Sequence, residues 1–321
     1  MTHDLGPSGI IPGILAVLLW CFTGVCFAAG SRLMGPMPYT TAICVVGLMT
    51  GVAVQGLHRR PIGDLFRIEP RVWMAGFFGV SVYTVVLILA VGIADDSDVA
   101  QVVLVNYLWP LMIILIGALF PTPADRQPGG SGRMLALAGA LGFTGVAMAR
   151  GPESLLRPPH HLIAHGLAFV AAMLWAAYSV LLRRWRVPEA RNGSTAQWAC
   201  CAVLAALVGW IRGEWSAMPA LGWSAAGWAL FCGIGPVGLA YHWWEIGIKR
   251  GPVQSIAVLS FFIPIGSAAL MGALFREALS PYLIPGATLI AIASAIVQRT
   301  TLTPTVRTEP ADGSNHEERH P

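Results

Sequence analysis

Apolar residues run through this chain in long blocks broken by short polar punctuation, and the blocks are longer than a soluble helix or strand requires. A bilayer core about 30 Å thick takes ~20 mostly apolar helical residues to cross. Ten segments meet or approach that length: 9–29, 38–57, 72–93, 98–120, 134–149, 162–182, 195–211, 222–246, 251–275 and 280–298. The fifth and seventh are the shortest, and their charged flanks, such as Arg133 and Arg150, can reach the interface by snorkelling. Inside the segments Glu245 is the one clear charged residue. The pattern predicts an all-α integral membrane protein with ten transmembrane helices and no sizeable soluble domain. Residues 300–321 are polar, Pro-containing and aperiodic, which predicts a disordered tail. The first segment has no basic flank before it and no small-residue cleavage site after it, so it reads as a retained helix rather than a signal peptide.

Composition sharpens this picture. The chain is 55% apolar and 11% charged, against about 45–50% and about 25% for a soluble protein, and its mean hydropathy is +0.66. A soluble enzyme, a disordered protein and a nucleic-acid-binding module are thereby excluded. Lys249 is the one lysine beside nineteen dispersed arginines, so no basic patch tracks phosphates. The distribution of those cations carries topology. With a cytoplasmic N-terminus, Arg59, Arg60, Arg67, Arg71, Arg126, Arg133, Arg183, Arg184, Arg186, Arg191, Lys249, Arg250, Arg299, Arg307 and Arg319 fall on the cytoplasmic side. Arg32, Arg150, Arg157, Arg212 and Arg276 fall on the other. Fifteen against five places both termini in the cytoplasm. The acidic turn Asp95–Asp98 then faces outward, where Asp and Ser cap the fourth helix. The six cysteines lie within spans without a CxxC pair and read as small buried residues.

The chain also repeats itself. AVLLW ending at Trp20 returns as AAMLW ending at Trp175, Trp73 as Trp228, and GIA (92–94) as GIK (247–249), each at an offset of 155. VVLVNYLWP (102–110) aligns with IAVLSFFIP (256–264), and GALF recurs at 117–120 and 272–275. Matches in nearly one register argue for duplication. Each unit holds five spans, an odd number, so the second must enter the membrane from the opposite side. The expected domains are a first five-helix repeat at 9–150, an inverted second repeat at 151–299 and the cytoplasmic tail at 300–321. Inverted repeats are the architecture of secondary transporters, with substrate bound near the midplane between the halves.

Two five-helix repeats with LLW (18–20), VNYLWP (105–110), WAAY (175–178), the stretch AYHWWEIGI (240–248) and GPV (251–253) resemble the EamA-type drug/metabolite transporter superfamily. Within it the chain is similar to the bacterial aromatic amino-acid exporters of the YddG type, over about residues 10–299. The resemblance implies a ten-helix basket whose central cavity is lined by helices 1, 3, 4, 6, 8 and 9. It also implies export of aromatic and other neutral amino acids across a bacterial inner membrane.

Within the spans, several residues can carry that chemistry. Asn106, Trp109 and Pro110 share one face of the fourth span. An amide is costly in lipid, so Asn106 should point inward, and Pro110 should bend the helix and free a carbonyl for a substrate ammonium. Ser260 and Pro264 hold the related positions in the second half, making the two prolines candidate hinges. Trp20 and Trp175 are symmetry-related and sit inside their spans, as do Tyr83 and Tyr178. Packing is the structural alternative for each; facing a cavity, they suit an apolar side chain and its ammonium. Trp73, Trp185, Trp215 and Trp223 read as interfacial belt residues. His242 and Glu245 lie at i and i+3 and form the one intramembrane pair able to titrate, hence a possible proton-coupling site. Glu245 is near a helix end with Lys249 at i+4, however, so a snorkelling pair also explains it, and the symmetry-related Leu87 and Ala90 cannot titrate.

The expected cavity therefore comprises Trp20, Tyr83, Asn106, Trp109, Trp175, Tyr178, His242 and Ser260. The reading is of an exporter working by facilitated diffusion as a monomer, with amino acids and lipid as its partners and no cofactor, metal or nucleic acid. A proton-coupled antiporter of drugs or other metabolites is the alternative, disfavoured by the absence of an acid from the first span; an intramembrane enzyme would need a nucleophile–base, metal or carboxylate cluster that the spans lack. In intact cells, a cysteine placed at Gly63 should escape an impermeant thiol reagent while one at Ser97 reacts readily. Labelling at Gly63 would overturn the topology.

Overall fold

The computed structural model describes residues 9–65, 67–94, 99–120, 132–149, 151, 160–187, 193–218, 222–275 and 281–302. Among them there is no strand. In chain order the helices are α1 (Ile10–Met34), α2 (Pro36–Leu57), α3 (Pro70–Ile93), α4 (Val99–Asn106 continued by Trp109–Leu119) and α5 (Gly132–Ala149). There follow α6 (Leu162–Arg184), α7 (Gly193–Ile211), α8 (Trp223–Arg250), α9 (Val253–Leu259 continued by Phe262–Phe275) and α10 (Leu283–Leu302). Among the described residues seven helical runs, all of these but α4, α5 and α10, are long and apolar enough to cross a membrane. Shorter apolar helices occupy 101–117, 133–149 and 283–296.

The ends of the helices differ from the expected bounds for local reasons. α1 runs to Met34 because Gly30, Ser31 and Arg32 continue the helix; it stops at Gly35, whose φ of 86° suits glycine alone, and Pro36 starts the next helix. α10 reaches Leu302, past the expected start of the tail. The rest of that tail, the turn Asp95–Asp98, and Arg126, Arg150, Arg157, Arg191, Arg276, Arg307 and Arg319 lie outside the described residues.

Packing is reciprocal. α5 lies against α10, α2 against α7, the first half of α1 against the last half of α8, and α6 against the last half of α3. Counting five helices on exchanges the last two pairings with each other. Small residues permit close approach, as lipid-embedded helices require. A Cβ at Gly145 of α5 would stand 2.6 Å from the Gly286 carbonyl oxygen of α10. Gly9 and Gly13 lie in the same way against Gly251 and Gly247, backbone on backbone.

One end of the bundle is basic. There the Arg71 guanidinium lies 5.3 Å over the Trp185 ring and that of Arg184 lies 5.8 Å over Phe120. Arg183 Nη1 donates to the Ile248 and Gly251 carbonyls at 3.2 and 2.7 Å. At the opposite end the Met37 amide donates to Glu214 Oε2 at 2.8 Å, and Glu214 also pairs with Arg212.

Several helices are interrupted. α1 tightens at Cys21–Phe22, α4 at Tyr107–Leu108 ahead of Pro110, and α9 at Ser260–Phe261 ahead of Pro264. Ahead of Pro264 the Ile263 amide donates to the Ser260 carbonyl in a three-residue turn, replacing the bond that the proline cannot donate; ahead of Pro110 the three-residue turn runs from the Leu108 amide to the Val105 carbonyl. α3 widens to a π-helix over Phe77–Val82, and α8 does so over Gly233–Leu239 around Pro236.

Gly145→Leu should wedge α5 from α10 and cost about 1–3 kcal/mol, read as a lower unfolding temperature in detergent. Gly227→Ala, where a Cβ meets nothing within 4 Å, should leave that temperature unchanged or raise it.

Candidate functional site

Between these helices lies a cavity of about 510 Å³, within the ~300–1,000 Å³ usual for small-molecule sites. Its lining on α1 runs from Trp20 to Ser31, on α3 from Tyr83 to Gly92, and on α4 from Trp109 back to Val99. Apart from Trp20 and Trp109, which sit just across the breaks in α1 and α4, these stretches lie on the side of the interruptions away from the basic end, so the cavity reaches toward the opposite end. α6, α8 and α9 contribute as the resemblance implies; α2 and α7 contribute as well, through Ile43, Cys44 and Trp198.

The floor is aromatic. The Trp20 ring stands 6.4 Å from Trp109, 5.7 Å from Trp175, 5.3 Å from Tyr241 and 5.2 Å from Trp244, centroid to centroid. Tyr83 meets Trp175 at 5.5 Å, and Trp198 meets Tyr241 edge-on at 4.6 Å. Two indoles are fixed by hydrogen bonds. Trp20 Nε1 donates to the Pro236 carbonyl at 2.9 Å, within the π-helical stretch of α8, and Trp244 Nε1 donates to Ser179 Oγ at 3.3 Å. Tilted and edge-to-face pairs of this kind contribute about 0.5–1.5 kcal/mol each beyond burial.

Polar groups above the floor are few and uncharged. No Asp, Glu, Lys, Arg or His is among the described lining residues. Asn106, at 6% exposure, lines the cavity, as does Tyr83. Asn106 Oδ1 and Thr23 Oγ1 are buried without a hydrogen-bond partner. Ser267 of α9 also lines the space, facing Gly24.

The structure brings five of the eight expected residues to this cavity: Trp20, Tyr83, Asn106, Trp109 and Trp175. It places three elsewhere. Tyr178 is one turn nearer the basic end than Trp175, beneath the floor, and its hydroxyl donates to Glu245 Oε1 at 2.8 Å. Ser260 is fully buried and its hydroxyl donates to the Ile256 carbonyl of its own helix. His242 is half-buried outside the lining, at the basic end, with Glu245, Lys249, Arg60 and His58 as its titratable neighbours. Pro110 and Pro264 sit just past the breaks in α4 and α9.

The snorkelling account of Glu245 is corrected. Lys249 does pair with it, at 3.4 Å, but the side chains are 6% and 1% exposed. Glu245 Oε1 also accepts from the Ser194 amide at 2.9 Å. The carboxylate is thus held inside the protein by α6, α7 and its own helix. Thr23, Trp198 and Tyr241 are lining residues that the sequence reading passed over. Thr23 lies three residues past Trp20, a spacing that marked it; Trp198 is so near the start of its span that its position resembles a belt residue.

The chain is similar to known proteins over most of its length. Residues 162–299 match the model of the EamA-like transporter family. Three bacterial proteins, each named aromatic amino acid exporter YddG, are similar over most of the chain. The one from Ancylobacter novellus is 32% identical over 82% of this chain and 88% of its own length. The Salmonella typhimurium protein is 29% identical over 88% and 94%, and the Escherichia coli protein 27% over 84% and 89%. A solved structure 27% identical in sequence superposes with a TM-score of 0.78, covering 91% of this chain and 98% of the other.

Lys249→Met should destabilise the protein by about 3 kcal/mol, because it leaves Glu245 buried without its cation. The double variant Glu245→Gln, Lys249→Met should recover most of that loss. Thermal unfolding in detergent measures both, and an unchanged single variant would mean that the pair is solvated.

Proposed function

This chain belongs to the EamA-like transporter family, and from that premise we propose that it exports aromatic and other neutral amino acids through the indole-floored cavity by alternating access. The observation that carries this reading is the cavity itself: about 510 Å³, walled by Trp20, Tyr83, Trp109, Trp175, Trp198 and Tyr241, and free of charged side chains among the described residues. Such a wall suits a planar apolar side chain. The names of the similar proteins supply the same substrate class.

In this reading residues 9–150 and 151–299 are two inverted five-helix repeats, and all ten helices cross the inner membrane. Supporting it are the reciprocal pairings of α1 with α8 and α6 with α3. The π-helical stretches at Phe77–Val82 and Gly233–Leu239, and the breaks at 107–108 and 260–261, also fall at related positions. The arginine distribution puts the basic end in the cytoplasm with both termini, so the cavity faces outward in this conformation. Closure on the cytoplasmic side consists of the aromatic floor, the glycine seam between α1 and α8, and the contact of Trp109–Leu119 with Val253–Leu259. Between the symmetry-related halves, Val99–Asn106 and Phe262–Phe275, no comparable contact exists among the described residues. Exchange of these two arrangements gives the inward-open state, with Pro110 and Pro264 as hinges and one chain as the working unit.

Transport then runs down the substrate gradient, since neither His242 nor Glu245 lines the cavity. Purified protein in liposomes should equilibrate labelled tryptophan or phenylalanine without a pH difference. Trp109→Ala and Trp175→Ala should each slow this several-fold per folded molecule, on the scale of about 0.5–1.5 kcal/mol for a lost aromatic pair. Normal rates in both would displace the site. Accumulation against the gradient when a pH difference is imposed, abolished by Glu245→Gln or His242→Ala, would make the protein a proton-coupled antiporter instead.

A further inference from the structure

We infer that the cavity reads the head group of a zwitterionic α-amino acid at two helix ends, with Asn106 receiving the ammonium and Thr23 the carboxylate. This rests on the amino-acid reading above and extends it to the orientation of the substrate and to the residues that enforce it.

Asn106 is the last residue of the half-helix Val99–Asn106. It is 6% exposed and lines the cavity, and its Oδ1 is a buried acceptor with no donor. The main-chain carbonyl of the same residue is the one that Pro110, having no N–H, cannot serve. A helix C-terminus carries partial negative charge. Two acceptors at the negative end of a half-helix form a site for a multiple donor with positive charge, which is what an α-ammonium is. The neighbouring indole rings of Trp20 and Trp109 add a surface favourable to a cation.

Thr23 is the first residue of the half-helix Thr23–Met34, which has no side-chain cap. Thr23 lines the cavity, and its hydroxyl oxygen is buried at the wall without a partner. A helix N-terminus carries partial positive charge and favours an anion. The Ser267 hydroxyl stands beside Gly24, the next residue, and provides a second donor. The two ends face one ligand. Thr23 is one turn past Trp20, Asn106 is one turn before Trp109, and those rings are 6.4 Å apart. Both polar groups therefore stand one turn off the floor on the cavity side, leaving the aromatic side chain to lie among the indoles.

Competition against labelled tryptophan uptake in liposomes tests this, with phenylalanine, phenethylamine (no carboxylate) and 3-phenylpropionate (no ammonium) as probes. In the wild-type protein both truncated probes should compete at least about tenfold more weakly than phenylalanine, the scale of a lost hydrogen bond to a charged group. Thr23→Val should close the gap for phenethylamine alone, and Asn106→Leu the gap for 3-phenylpropionate alone. Thr23→Ser should keep the wild-type order. The inference is overturned if the truncated probes compete as well as phenylalanine in the wild-type protein, a result that needs no variant to fold. It is overturned equally if both variants weaken all probes alike. In either case tryptophan uptake by the wild-type protein leaves the amino-acid reading standing; absence of that uptake removes the reading itself.

Discussion

An interrupted helix in hydrocarbon leaves main-chain polar groups with nothing to bond, and each such group costs several kcal/mol. That constraint decides where this bundle can be irregular. The break after Trp20 begins at Cys21, which is buried, and borders the cavity. The break after Asn106 opens onto the cavity as well, and the one at Ser260–Phe261 is enclosed, both residues being inaccessible. In the π-helical stretch of α8 the Pro236 carbonyl is served by the indole of Trp20. The chamber, its aromatic floor and its unpaired polar atoms thus occur together because all three depend on irregular backbone, which only the interior tolerates.

Much of the architecture was legible because a bilayer imposes a length. Each apolar block falls on helix within a few residues of its expected ends, and among the described residues seven of the helical runs are long and apolar enough to cross a membrane. The misjudged ends have readable causes in hindsight. Gly35–Pro36 is a stop followed by a start, and the helix runs on through Ser31 and Arg32 to reach it. In α1 the break at Cys21–Phe22 had no proline to announce it, whereas those in α4 and α9 did.

The site was legible by face but not by depth. Spacing of three places Tyr178 on the same side of α6 as Trp175, and the structure keeps them in contact at 5.7 Å. One turn of rise nevertheless carries the Tyr178 hydroxyl below the floor to Glu245. Glu245 itself looked like a helix-end carboxylate because its enclosure comes from α6 and α7, through Tyr178 and the Ser194 amide. Helical periodicity along one chain segment contains no information about which other segment will supply a hydrogen-bond donor. Tyr241 was missed for a related reason: it is ordinary in its own helix and acquires its surroundings only from the crossing of others.

The absence of ionic side chains from the described lining has an electrical consequence. Moving one elementary charge across the membrane potential involves about 2.3 kcal/mol per 100 mV. A chamber without fixed charges that alternates around a zwitterion displaces no net charge, and the Glu245–Lys249 pair adds none because its charges cancel. On the proposed cycle the membrane voltage therefore neither drives nor brakes the export step. The packed indoles meanwhile form a low-dielectric partition that a bare ion cannot cross cheaply. A cell can vent uncharged solutes through such a partition while its membrane stays polarised.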